Sequence, residues 1–124
     1  MKLTIGTCLV VALLMPAPSS AGTVDDVVTV ATKYGGGPLT LRTLSIVSLA
    51  MFDAANAVER RYEPYRQPAM PPAGIDAAQA ALGAGCAALV ALRPPQAEAI
   101  RKECYAVGGD AMSESAAASR RYGE

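Results

Sequence analysis

The residues with the most chemical potential interrupt an otherwise apolar stretch: Asp53, Asn56 and Arg60. Asp53 and Asn56 are three apart and Arg60 lies two turns beyond Asp53, so on a helix all three share a side. A carboxylate among Phe52, Ala54, Ala55 and Ala57 must find hydrogen bonds or a cation, or stay protonated. It would then serve either as a general acid or base, or as part of a buried network tying its helix to neighbours. No second titrating group lies within reach of Asp53, which favours the structural role. The chain also contains no histidine. Ser-His-Asp and Cys-His nucleophiles, imidazole zinc sites and a His-ligated haem are therefore excluded.

Cysteine is the other reactive residue type. Cys8 sits in the N-terminal apolar run, leaving Cys86 and Cys104 placed symmetrically about Pro94-Pro95. If the flanking helices fold back on each other, each cysteine lies about 13 Å from the turn at 1.5 Å per residue. The pair is then either a disulfide or two small buried thiols, because helix rotation is not set by spacing. A disulfide closing such a loop stabilises a domain by roughly 3 kcal/mol. Two cysteines without histidine are too few ligands for a metal. Tyr34-Gly35-Gly36-Gly37-Pro38 lacks the Lys-Ser/Thr pair of a phosphate-cradling loop and reads as a flexible connection.

These residues are positioned by a short chain of 124 residues, rich in alanine and poor in aromatics. Met1-Lys2, the apolar run Leu3 to Met15 and the small residues before Ala21 form an export signal over residues 1–21. The apolar run is shorter than the roughly 20 residues a bilayer span needs. Residues 22–124 are then expected in a periplasm or outside the cell, where disulfides persist, with no membrane attachment after cleavage. Eleven basic and eleven acidic side chains cancel, so nothing draws the domain to nucleic acid. Arg60-Arg61, with Arg66 nearby, reads as cations at a helix C-terminus.

The elements that follow are helical. Residues 22–38 form an N-terminal arm or short helix ending in the glycines. Leu41, Leu44, Val47, Met51, Ala54 and Val58 make one helical stripe, with Ile46, Leu49 and Phe52 on other faces. This predicts a buried central helix over about 39–61, stopped by Pro64. Asp76 is the N-cap of a helix over 77–92, in which Gly83 and Gly85 let another helix approach closely. Pro95 opens a third helix to about Val107, giving an antiparallel hairpin over about 76–107. Ser113 caps a fourth helix to Arg121, with no closing apolar cluster. The fold class is all-α, a helical bundle expected to be incomplete at its C-terminus.

The run Leu41 to Val58 with Asp53-Ala-Ala-Asn56, followed by Arg61-Tyr62-Glu63-Pro64-Tyr65 and a proline-rich loop, resembles a known pattern. It is similar to the N-terminal helical region of bacterial vanadium-dependent haloperoxidase-like proteins, in the superfamily shared with type 2 phosphatidic acid phosphatases. The resemblance covers about residues 39–124. It implies a helical bundle that holds vanadate in full-length relatives, or phosphate in the phosphatases, through Lys-x6-Arg-Pro, Pro-Ser-Gly-His and Ser-Arg-x5-His motifs. None of these occurs here: Arg93-Pro94 is the single Arg-Pro pair, and the position seven before Arg93 is Cys86. No catalytic, cofactor-binding or metal residue carries over. The resemblance thus implies an exported scaffold fragment, inactive alone, partnered by the missing C-terminal half of its own fold or by a homo-oligomer. The competing reading is a small complete periplasmic helical protein acting as a binding module.

Overall fold

The computed structural model describes residues 21–65, 69–107 and 114–124. It is all-α, with five α-helices among the described residues: α1 (Ala21–Gly35), α2 (Thr40–Glu59), α3 (Ala77–Leu92), α4 (Ala97–Val107) and α5 (Glu114–Gly123). The expected signal lies almost wholly outside the described residues.

α1 is a full helix and a core element rather than an arm. Val27, Val30, Ala31 and Tyr34 fall at helical spacing, and the first three are buried. Burying them outweighs the few tenths of a kcal/mol by which valine disfavours a helix. Gly36 and Gly37 take φ of 71° and 58°, a region glycine enters without a Cβ penalty. A short 3-10 turn, Gly37–Leu39, then leads directly into α2.

α3 lies against all four other helices. Asp76 is its N-cap, extended at φ −87° and ψ 127°, with its carboxylate accepting from the Gln79 amide at 2.8 Å. The close approaches expected at its glycines occur. A Cβ on Gly85 would stand 2.8 Å from the Met51 side chain, and one on Gly83 would overlap the Arg120 backbone of α5. Gly123 meets the Ala80 backbone in the same way, so α3 and α5 cross almost backbone to backbone. α5 therefore packs on α3 through small residues, without the apolar cluster whose absence the sequence shows; Ser113, its expected cap, lies outside the described residues.

Two expectations change in form. α2 is half-covered rather than enclosed: Thr43, Val47, Met51, Ala54, Asn56 and Ala57 are buried, while Leu41, Leu49 and Phe52 face outward. The α3–α4 pair is splayed, the chain turning through 116° between the helices rather than reversing. The cause is local. Arg93 leaves the helical region at φ −133° and ψ 59°, and Pro94–Gln96 winds as a 3-10 turn before α4 begins at Ala97. Cys86 and Cys104 still meet as a disulfide, with Cα atoms 6.2 Å apart. Among the described residues, the stretch Gly37–Glu59 is long and apolar enough to cross a membrane, and the bent pair Ala77–Leu92 and Pro94–Cys104 passes the same test together.

Candidate functional site

The row on α2 separates into parts with different duties. Asn56 is buried and clasps the backbone beyond the helix end from both sides. Its Nδ2 donates to the Tyr62 carbonyl at 2.7 Å, and its Oδ1 accepts from the Tyr62 and Arg61 amides at 2.8 and 3.1 Å. Asp53 Oδ1 accepts from the Tyr65 amide at 3.1 Å. The Phe52 and Tyr62 rings complete the contact, their centroids 6.0 Å apart. Asp-Ala-x-Asn and Tyr-Glu-Pro-Tyr are thus the two halves of one local structure, in which the helix side chains hold the segment that follows.

Arg60 does not join this network. It ends α2 at φ 52°, a left-handed conformation rare for a residue with a Cβ, and its amide donates to the Asn56 carbonyl at 2.7 Å. Its guanidinium reaches the Met70 thioether. Arg61 pairs with Glu59 at 3.1 Å on the surface, and Arg66 lies outside the described residues. Beside the clasp is an open recess of about 330 Å³ that includes Asn56, Arg60, Tyr62 and Pro64.

A second constellation was not visible in the sequence. Glu103 of α4 accepts from the Lys33 ammonium at 2.5 Å and the Tyr34 hydroxyl at 2.6 Å, joining α4 to the end of α1. These bonds, Lys33's first, hold the Glu103 carboxyl below its usual range. Conversely, bonding to Glu103 raises Lys33 and Tyr34 above their ordinary values. No spacing rule pairs residues 70 positions apart.

Arg93, of the single Arg-Pro pair, is a structural clamp. Its guanidinium donates to the Gly35 carbonyl at the C-terminal end of α1, where a cation is favoured. The same group leaves little room at Gly36, where a Cβ would stand 3.2 Å from Nη2. Its Nε is buried and makes no hydrogen bond within the described residues.

A further opening lies between α3, α4 and α5, a cavity of about 340 Å³. Leu82, Ala87, Val90 and Ala91 give it an apolar wall that also contains both disulfide cysteines. Its polar groups are Arg101, Arg120 and Glu124, with Arg120 Nε donating to Gln79 Oε1 at 2.7 Å. Among the described residues no group of three or more carboxylates and thiols is placed to hold a metal ion.

The remaining feature is a surface. Leu41, Leu49 and Phe52 on α2 are 77%, 37% and 42% exposed. Tyr62, Tyr65 and Met70, which follow α2, are exposed more than two-thirds each. Of these, Phe52 and Tyr62 are in contact with one another. The chain matches no protein-family model, no curated protein and no solved structure.

Proposed function

We propose that this chain is an exported helical scaffold, built on the plan of the N-terminal helices of vanadium haloperoxidase-like proteins, which supports other structure through α2 and runs no reaction itself. The observation that carries this reading is the division of labour on α2. Asp53 and Asn56, the motif residues able to do chemistry, are spent on the backbone of Tyr62 and Tyr65. Meanwhile Leu41, Leu49 and Phe52 are left uncovered on the outer side of the same helix.

The residues present do not fit vanadate or phosphate in the manner of that family. A tetrahedral oxyanion needs several converging cations and donors. Here Arg93 is spent on Gly35, Arg60 reaches Met70, and Arg101 and Arg120 share their cavity with Glu124. In this reading an oxyanion site, where one exists, is supplied by other polypeptide, and the haloperoxidase or phosphatase ancestry is decided there.

A free-standing periplasmic binding module is the second reading, favoured by the same exposed face. The two share a test of the scaffold role. Replacing Leu41, Leu49 and Phe52 together by serine should lower binding of an apolar dye and leave the melting temperature of the purified chain unchanged. Unfolding of the triple variant would make this face core and overturn both. Assays for phosphomonoester hydrolysis and vanadate-dependent bromide oxidation should give no turnover with the chain alone. Turnover that Asp53→Asn abolishes would replace the scaffold reading with catalysis. Secretion from a bacterial host, followed by N-terminal sequencing, tests export; retention of Met1 in the cytoplasmic fraction would refute it.

A further inference from the structure

We infer that a second copy of this chain docks on the open side of α2, the two helices running antiparallel about a two-fold axis. The inference rests on the scaffold reading and names the structure that α2 supports. Leu41, Ser45, Ser48 and Phe52 are exposed and follow one another at steps of four, three and four. That spacing aligns them as one seam of the helix, the row that a pair of helices buries. Leu49 is exposed beside the seam, and Tyr62 stands against Phe52, their ring centroids 6.0 Å apart.

The seam is self-complementary, as an isologous interface between identical copies has to be. With the axis midway between Ile46 and Val47, Leu41 of each copy faces Phe52 of the other, and Ser45 faces Ser48. A leucine therefore meets the Phe52 and Tyr62 rings at both ends, while small side chains let the helices cross closely in the middle. Ser45 enters that crossing without losing a hydrogen bond, because its hydroxyl already donates to the Leu41 carbonyl at 2.9 Å. At about 200 Å² for a large side chain, the exposed parts of Leu41, Leu49, Phe52 and Tyr62 offer on the order of 450 Å² per copy. That is the area of a small, reversible dimer, with a Kd of roughly 10–100 μM.

Charge selects the same register and direction. Before its last turn α2 carries one cation, Arg42, and one carboxylate, Asp53. They are eleven residues apart, three turns, and so lie on the same flank of the seam. Antiparallel pairing about this axis sets Arg42 of each copy beside Asp53 of the other, with an axial offset of about 3 Å at 1.5 Å per residue. The contact is made twice per dimer. Parallel pairing in register would instead set Arg42 beside Arg42 and Asp53 beside Asp53, which like charges oppose. Arg42 is exposed and pairs with no carboxylate among the described residues, and Asp53 accepts from the Tyr65 amide through Oδ1 alone.

Analytical ultracentrifugation of the full chain from about 5 to about 500 μM tests this. The average mass should rise from monomer to dimer, leaving the face open to dye only at the dilute end. Leu41→Ser, Leu49→Ser and Phe52→Ser together should hold a folded monomer throughout. Arg42→Glu and Asp53→Lys, with folding checked by circular dichroism, should each weaken the dimer about tenfold by setting like charges together. Mixing these two variants in equal amounts should recover the original association, because both flanking pairs of the mixed dimer are again of opposite sign. Loss of the Tyr65 contact alone is not reversed by mixing. A chain that stays monomeric while the triple variant folds overturns the second copy and leaves the scaffold reading standing; an unfolded triple variant overturns both. Dimers that the triple variant leaves intact, or no recovery on mixing, would also overturn the proposal. So would sedimentation with phosphatidylcholine vesicles in place of dimerisation, which would assign the face to a bilayer.

Discussion

The two sides of α2 differ in what covers them. Toward its neighbours Val47 and Met51 sit in the main core with Leu82 and Leu89, Ala54 meets Ala80 and Ala84, and Gly85 makes room for Met51. Leu41, Leu49 and Phe52 on the same helix, and Tyr62 just after it, are left in solvent. An apolar side chain contributes in proportion to the area it removes from water. The covered side therefore gives its area to the core, and the open side holds unspent hydrophobic area. The α3–α5 crossing gains instead from closeness and many short contacts.

The sharpest way to break this contrast is to add one methyl group at the α3–α5 crossing. Gly83→Ala raises helix propensity by about 1 kcal/mol, but its Cβ would overlap the Arg120 carbonyl. A net loss of about 2–3 kcal/mol is expected in urea denaturation. Leu41→Ala, which removes far more side chain from the open face, should shift stability by less than about 0.5 kcal/mol. Comparable losses from the two would end the distinction.

The clasp at the end of α2 comes next. Asn56→Ala strands the Arg61 and Tyr62 amides beside a helix end, so a loss of about 1–2 kcal/mol is expected, with faster amide exchange at Tyr62. An unchanged exchange rate would mean that the segment holds itself. At the same junction Arg60→Gly should stabilise by about 0.5–1 kcal/mol, because glycine takes φ 52° without crowding its Cβ. A loss there would show that the contact with Met70 outweighs the backbone strain.

The smallest effect belongs to the exposed cluster joining α1 to α4. Its lowered carboxyl gives Glu103 a stabilising contribution that is complete above the ordinary carboxylate range and lost as pH falls through the depressed value. The raised Lys33 and Tyr34 contribute below their ordinary values and lose this as pH rises through the raised ones. Glu103→Gln should flatten both limbs of a melting temperature against pH curve, weakly, because water and salt screen exposed pairs. A variant curve with unchanged limbs would place the titration elsewhere.

Much of this arrangement is legible in local sequence where one residue has one reason to be there. Asp76 caps α3 because an extended aspartate before an alanine run has an amide to accept from. Pro64 bounds α2 from beyond, although the helix already stops at the left-handed Arg60, and Gly83 has no role on a helix except close approach. The all-α class follows from the same signals. What was not legible depends on direction or distance. α2 is apolar on several faces, so its pattern does not tell which face is covered. α1 is rich in β-branched residues, and only its packing against α2, α3 and α4 settles it as helix. The 116° corner turns on the backbone of Arg93, and the Lys33–Glu103 pair joins helices far apart in sequence. Asp53 and Asn56 were recognisable as a structural network, but their target, the Tyr62–Tyr65 backbone, emerges only in three dimensions.

The Ser119 hydroxyl has a reach beyond its own helix. It is fully buried, donates to the Ser115 carbonyl and accepts from the amide of Asp76, the residue that starts α3. Tyr122, one turn on, donates to the Ala69 carbonyl at 2.5 Å. The first turn of α3 is thus completed by the last helix described, 43 residues later. Hydrogen exchange at Asp76 consequently measures the opening of α5 itself: each time α5 lifts, that amide is offered to solvent while the middle of α3 stays protected. A single backbone proton serves as a clock for the docking of an entire helix.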